Sequence, residues 1–191
     1  MQISVDNFLS VAPAVLPWRD RDSKTYPLCG VYVSEKGEYV ACDRYAALKF
    51  DSGRTGAPAL IACDRKVLAY VRSLKKSKIA TFDFAVKNNA QFFNGEVVSD
   101  VPAIDPAEYP DIREMFSVSY PSKAKEFDVF APAYLDKVNA FFGGNAFLKS
   151  RVSCEGGCFQ SFKKFLFRSP ETGKTAVLMS LGSCKIEWEG E

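Results

Sequence analysis

The stretch Tyr26 to Leu48, YPLCGVYVSEKGEYVACDRYAAL, decides how the rest of the chain is read. Val31-Tyr-Val and Tyr39-Val-Ala are short runs rich in β-branched and aromatic residues, and Gly37 between them supplies the backbone freedom that a tight reversal needs. The stretch is therefore expected to be a hairpin. Its far strand runs into a turn written Ala41-Cys42-Asp43-Arg44-Tyr45.

Working outward, one arrangement recurs three times: a short strand, an amphipathic helix of about three turns, then two or three strands. The first unit opens with Ile3-Ser-Val and has Asp6 as the expected helix cap ahead of Phe8, Leu9, Ala12 and Val15, with Pro13 shortening the helix. The second follows the loop Asp51 to Pro58. There Asp64 is expected to cap a helix whose Val67, Leu68, Val71 and Leu74 form one apolar stripe. Strands are expected at Thr81 to Val86, Gln91 to Phe93 and Glu96 to Val101. The third opens with Phe127-Asp-Val-Phe, continues as a helix with Tyr134, Leu135, Val138, Phe141 and Phe142 on one side, and stops at Gly143-Gly144. Strands are expected around 150–154, 158–162, 165–168 and 176–181, with Glu155-Gly-Gly as a hairpin turn. The units start near residues 2, 59 and 127, so the fold class is α+β, built from repeated half-domains of a helix on antiparallel strands. The expected boundaries are half-repeats at 1–56 and 57–118, a linker at 119–126, a third half-repeat at 127–182 and an acidic tail at 183–191.

The hairpin with its ACDRYAAL ending resembles that of the bacterial DNA polymerase III β subunit, the sliding clamp, where an LNGV strand is followed by VATDGHRLA. Further segments resemble the same family in the same order: Ile61-Ala-Cys-Asp-Arg-Lys-Val-Leu, Tyr109-Pro-Asp-Ile-Arg, Phe130-Ala-Pro-Ala-Tyr-Leu-Asp-Lys-Val, and Val177-Leu-Met-Ser-Leu. The resemblance implies a DNA-clamp-like fold in which helices line the hole of a ring and strands form sheets outside. It also implies a non-catalytic processivity factor, with double-stranded DNA and peptide motifs of the polymerase or other replication proteins as partners. A bacterial ring closes on twelve half-units and this chain has three, so a closed ring implies a homo-oligomer of four chains. A short chain of this kind fits a phage or prophage genome.

Composition narrows the alternatives. A balance of 25 basic against 23 acidic residues gives a net charge of +2, so any hold on DNA must come from local clustering. There is no histidine, which removes His-based acid–base catalysis, the Ser-His and Cys-His nucleophile pairs and imidazole metal sites. No cofactor and no metal are expected: Cys154 and Cys158 are the only close cysteine pair, and the six cysteines read as free thiols. With no basic segment leading into an apolar run at the start, and no apolar window long enough to span a bilayer, the expectation is a soluble cytoplasmic protein with no membrane partner. Gly173-Lys174-Thr175 imitates the end of a phosphate-binding loop, but Arg168 stands where its first glycine belongs. Asp100, Asp105, Glu108 and Asp111, spaced by prolines, read as a solvated loop.

Two candidate sites remain. The helix from Asp64 to Lys76 has the densest positive charge: six basic residues lie between Arg65 and Lys78 against the one Asp64, a local charge of +5. Arg65, Lys66, Arg72, Lys75 and Lys76 are the expected phosphate contacts, joined by Lys137 on the third helix; the first helix has no basic residue. The second site, implied by the resemblance, is a peptide-binding groove on Leu28, Cys42, Arg44, Ala47, Val118, Val177, Met179 and Leu181. An apolar cleft with a soft methionine suits the hydrophobic side chains of an extended peptide. The sequence departs from the clamp pattern there: Arg44-Tyr45-Ala46 replaces Gly-His-Arg, and Met179 is followed by Ser180 instead of proline. The rival reading is a clamp-fold interaction protein that encircles nothing and binds a replication protein or a host clamp.

Overall fold

The computed structural model describes residues 2–17, 26–43, 45–53, 55–74, 79–83, 91–99, 101, 104–111, 116, 127–149, 151–156, 163–180 and 182–184. The chain divides into two compact units, Met1–Asp111 and Ile112–Glu191.

The first unit holds two copies of one motif. Strand β1 (Gln2–Ser4) leads into helix α1 (Val5–Val11) and then into a meander of β2 (Gly30–Val33), β3 (Glu38–Cys42) and β4 (Ala46–Asp51). Strand β5 (Ala59–Ala62), helix α2 (Arg65–Ser73) and the meander β6 (Ile79–Asp83), β7 (Gln91–Phe93) and β8 (Glu96–Ser99) repeat the order. Each copy lends its first strand to the other. β5 pairs antiparallel with β2, Val31 opposite Ile61, and β1 pairs antiparallel with β6, Ile3 opposite Ala80. The copies are thus interlocked, and within this unit neither run of four strands, β1-β6-β7-β8 or β5-β2-β3-β4, exists without both.

Burial follows this exchange. Ile3, Val5, Phe8 and Val11 from β1 and α1 are all within 1% of complete burial, and so are Val31, Leu48, Leu60, Ile61, Val67, Val71, Phe82 and Phe93. Phe82 and Phe93 meet with ring centroids 5.0 Å apart and planes at 58°, a favoured tilted contact. Gly30 lets β5 lie tight against β2, since a Cβ there would lie 2.9 Å from the Ile61 carbonyl oxygen.

Several expectations shift in detail. The first helix is capped by Ser4, whose Oγ accepts the Asn7 N–H at 3.3 Å; Asp6 instead sits in the first turn, where its charge favours the helix dipole. That helix ends at Val11 and gives way to a 3-10 turn over Ala12–Ala14, because Pro13 has no N–H to continue it. The stretch from Tyr26 is more than one hairpin: Tyr26–Cys29 is a 3-10 turn, and β4 adds a third strand. Asp43, 4% exposed, folds the chain between β3 and β4 by accepting the N–H groups of Tyr45 and Ala46 on Oδ1 at 3.3 and 3.0 Å. Gly37 does turn the β2–β3 hairpin, with φ of 76° and its N–H on the Ser34 carbonyl at 2.9 Å.

The second unit contains one copy of the same order. β9 (Phe127–Val129) leads into α3 (Pro132–Phe142) and a short α4 (Ala146–Lys149) that sequence periodicity did not reveal, followed by the meander β10 (Arg151–Gly156), β11 (Lys163–Ser169) and β12 (Lys174–Met179). Helix α3 buries Val138, Phe141 and Phe142, leaves Tyr134 and Leu135 half-buried, and ends at Gly143 with φ of 70°, the left-handed cap that glycine favours. Glu155 and Gly156 are not a turn: they lie in β10, opposite Lys164 and Lys163. The ladder stays in register that far; the strand expected at 158–162 lies outside the described residues. Beyond β12 the chain continues as β13 (Gly182–Cys184), antiparallel to β9 with Ser183 opposite Asp128.

Candidate nucleic-acid interface

Helix α2 is built to present one face. Asp64 caps it, its Oδ1 accepting the Val67 N–H at 2.7 Å, and its other oxygen accepts the Ser99 hydroxyl at 2.6 Å, so the start of the helix is tied to the end of β8. Val67 and Val71 are fully buried, while Tyr70 reaches the Phe93 carbonyl at 3.4 Å and packs against its ring. The opposite side carries Arg65, Lys66, Ala69, Arg72 and Ser73, all exposed. Arg65, Ala69 and Arg72 fall at i, i+4 and i+7, one row down the helix about 10 Å long.

The placement of two of these charges is informative. Arg65 and Lys66 occupy the first turn, and no acidic residue does. The partial positive charge of a helix N-terminus disfavours cations there by a few tenths of a kcal/mol. A solvated face tuned only for helix stability would carry acids in that turn, as α1 carries Asp6. Here the two cations and the dipole together outweigh the single capping carboxylate of Asp64, leaving that end net positive.

The other helices differ. On α1 the exposed side shows Asp6, and on α3 it shows Pro132, Ala133, Asp136 and Ala140. Lys137 is half-buried, with Nζ 5.0 Å from the Tyr134 ring centroid, a cation–π arrangement that holds it along the helix surface. Lys75 and Lys76 lie outside the described residues. Of the six expected phosphate contacts, the structure brings Arg65, Lys66 and Arg72 onto one exposed face and puts Lys137 on the second unit.

The groove residues also divide between the units. In the first, Leu28 is half-buried in the 3-10 turn, its carbonyl accepting the Leu16 N–H at 2.9 Å, while Cys42 and Ala47 lie opposite each other on β3 and β4, at 3% and 0% exposure. In the second, Val177 is fully buried on β12 and Met179, two residues on, is half-buried. Among the described members, Leu28 and Met179 have accessible surface; Arg44, Val118 and Leu181 lie outside the described residues.

The remaining motifs have structural roles. Gly173, with φ of 65°, leads into β12, and Lys174 donates to the Phe141 carbonyl at 2.5 Å, so the imitation phosphate loop is the exit of a hairpin. Asp105 caps a 3-10 turn by accepting the Ala107 N–H at 2.8 Å, and Glu108 and Asp111 are exposed. Cys29, Cys42 and Cys63 are buried among apolar neighbours. Among the described residues no cluster of three His, Cys, Asp or Glu side chains could hold a metal, and no helix is long and apolar enough to cross a membrane. The Ser99–Asp64 contact had no local signal in the sequence, because its partners are 35 residues apart.

No protein-family model matches the sequence, and no curated protein matches it. Solved structures do match. A Eubacterium rectale protein carrying the name of a DNA polymerase III β subunit aligns over 97% of this chain and 66% of its own, at 13% identity and a TM-score of 0.56. The Helicobacter pylori β clamp, solved with 5-chloroisatin, aligns over 98% and 65% at 12% identity and a TM-score of 0.49; the Pseudomonas aeruginosa DNA polymerase III subunit β aligns over 96% and 52% at 14% and 0.45. The chain thus spans about half to two thirds of the length of the structures it matches. On the strength of the first of these likenesses, together with the interlocked helix-and-meander copies, this α+β chain has the fold of the DNA polymerase III β subunit, the sliding clamp.

Proposed function

We propose that this chain is a non-catalytic, sliding-clamp-like protein of the β-subunit family that associates with double-stranded DNA through the exposed face of α2 and docks replication proteins by their peptide motifs. The observation that carries this reading is the trio Arg65, Lys66 and Arg72 on the side of α2 opposite Val67 and Val71, two of them in the turn where the dipole adds to their charge. Contacts of this kind neutralise phosphates without reading bases, which is what a protein that must slide requires. Leu28 in the first unit and Met179 in the second each keep accessible apolar surface of the kind peptide motifs bind. A cytoplasmic site of action and a phage or prophage genome fit the same reading.

The test is the salt dependence of DNA binding. With Arg65, Lys66 and Arg72 all changed to Glu, DNA affinity is expected to fall and the slope of log K against log salt to flatten by about 0.9 for each phosphate no longer neutralised, with the circular dichroism spectrum unchanged. Affinity and slope equal to the unmodified chain's would remove α2 as the interface. Leu28→Ala with Met179→Ala is expected to reduce recovery of replication proteins in a pull-down; recovery of the same partners at the same yield would remove the groove.

A second reading has its own support. Asp6 and Asp136 are exposed on the other two main helices, so the helices do not share one sign of charge. That favours a clamp-fold interaction protein that binds a replication protein or host clamp without encircling DNA.

A further inference from the structure

Two lysines from different elements meet at the end of α3. The helix stops at Gly143 with φ of 70°, and Gly144 follows at φ of 144°. Lys149, the last residue of α4, turns its Nζ back to donate to the Gly143 carbonyl, so close to Gly144 that a Cβ there would lie 3.0 Å from it. Lys174, the first residue of β12, donates from Nζ to the Phe141 carbonyl at 2.5 Å, with the Phe141 ring centroid 5.2 Å away. Among the described residues no carboxylate pairs with either lysine.

The two are not equivalent. Lys149 is exposed, whereas Lys174 is half-buried, its Nζ fixed in place by the carbonyl and the ring. Burial and a neighbouring cation both favour the neutral amine, and a lysine so placed is a better nucleophile than one in water. Both causes act on Lys174, burial first and Lys149 second, and they lower its pKa from the ordinary 10.5. The Phe141 carbonyl can accept one N–H whether Nζ carries three protons or two. The neutral amine therefore keeps its place, with its lone pair turned away from that carbonyl.

We propose that Lys174 is a modification site, at which Nζ takes the acyl group of a small acyl phosphate whose phosphate is held by the Lys149 ammonium. Lys149 spends one N–H on the Gly143 carbonyl and has two left for phosphate oxygens. In the transfer the Nζ lone pair bonds to the acyl carbon, and the bond from that carbon to the bridging oxygen breaks. Phosphate leaves with that electron pair and takes up the proton released from Nζ, and nothing is oxidised or reduced. The amide that results keeps one N–H, so it can stay on the Phe141 carbonyl. Acylation thus removes one of the two cations at the end of α3 without orphaning the carbonyl. The inference depends on neither DNA binding nor peptide docking, so it stands or falls separately from the proposed function.

The test exposes the full chain to acetyl phosphate and follows acetylation of each lysine by mass spectrometry of its peptides. Lys174 is expected to react at least about threefold faster than Lys36, which is exposed on the β2–β3 hairpin. Lys149→Gln, with the circular dichroism spectrum unchanged, is expected to bring Lys174 down to the rate of Lys36, and Lys149→Arg to restore its lead by returning the cation. A Lys174 rate no greater than that of Lys36 in the unmodified chain overturns the proposal. So does a lead that survives Lys149→Gln, or one that Lys149→Arg fails to restore, because the second cation would then have no part in it.

Discussion

The Ser99 hydroxyl donates a 2.6 Å hydrogen bond to Asp64 Oδ2 across 35 residues of sequence. Asp64 thereby serves twice: one oxygen caps α2 through the Val67 N–H and the other anchors the helix start to the end of β8. The orientation of the Arg65–Lys66 turn depends on this one carboxylate. Asp64→Ala is expected to destabilise the fold by about 1–2 kcal/mol, and Ser99→Ala by about 1 kcal/mol. Urea denaturation of the two variants checks the order. Equal stability of Asp64→Ala and the unmodified chain would show that the anchor contributes nothing.

Tyr109 stacks on Tyr32 with centroids 5.0 Å apart and planes at 8°, and its hydroxyl is buried with no hydrogen-bond partner among the described residues. An unpaired buried hydroxyl costs about 1–3 kcal/mol, whereas the ring contact is favourable. Tyr109→Phe keeps the stack and removes the cost, so its thermal midpoint should rise or hold. Tyr109→Ala should lower stability by about 3 kcal/mol or more. A clear loss in the Phe variant would mean that the hydroxyl has a partner.

Burial pushes the Cys63 thiol well above its ordinary 9.0, opposed in part by a backbone hydrogen bond with Val31 and helped to a lesser extent by Asp64 and Cys29, and burial likewise holds Tyr109 well above 10.0. Both groups stay protonated when folded and lose their protons more readily when unfolded. Above about pH 9 the unfolded chain therefore binds fewer protons, and stability falls as pH rises, by up to about 1.4 kcal/mol per pH unit for each group. Denaturation midpoints should be flat with respect to these groups below pH 9 and decline above it. Cys63→Ala should remove the earlier part of the decline; an unaltered profile in that variant would assign it to other groups.

The end of α3 is held by two lysines. Lys174 donates to the Phe141 carbonyl and lies 5.2 Å from that ring's centroid, while Lys149 donates to the Gly143 carbonyl. Both cations face the negative end of the helix dipole, and burial together with neighbouring Lys149 lowers the Lys174 pKa. Lys174→Met should cost about 1 kcal/mol, and Gly143→Ala about the same, because the latter must hold φ of 70° with a side chain. Hydrogen exchange in the second unit should quicken in both. Unchanged exchange rates would show that the cap does not limit opening there.

What the sequence disclosed and what it withheld follow from range. Val67, Val71 and Asp64 announce α2 because periodicity and capping act over three or four residues, and Gly143 announces the end of α3 for the same reason. Asp6 misled: an acidic residue serves equally as a cap or in the first turn, and Ser4 took the cap. Glu155-Gly-Gly looked like a turn because glycines favour turns, but six paired residues on each side of β10–β11 outweigh that local preference. The exchange of β1 and β5 between copies, and the hold of β13 on β9, are pairings between distant residues that composition and periodicity do not record. Within the candidate interface, exposure of Arg65, Lys66 and Arg72 followed from the apolar stripe opposite them, whereas the half-buried position of Lys137 depended on its own neighbour Tyr134.

On the function proposed above, a fold of the clamp type holds DNA topologically, with α2 supplying the electrostatic contact. Retention on nicked circular plasmid compared with the same plasmid linearised, at a salt concentration that removes simple electrostatic binding, tests it most directly. Protein that stays on the circle and runs off the open ends is the expected result. Equal loss from both forms would contradict encirclement and leave the clamp fold serving as a protein-binding scaffold.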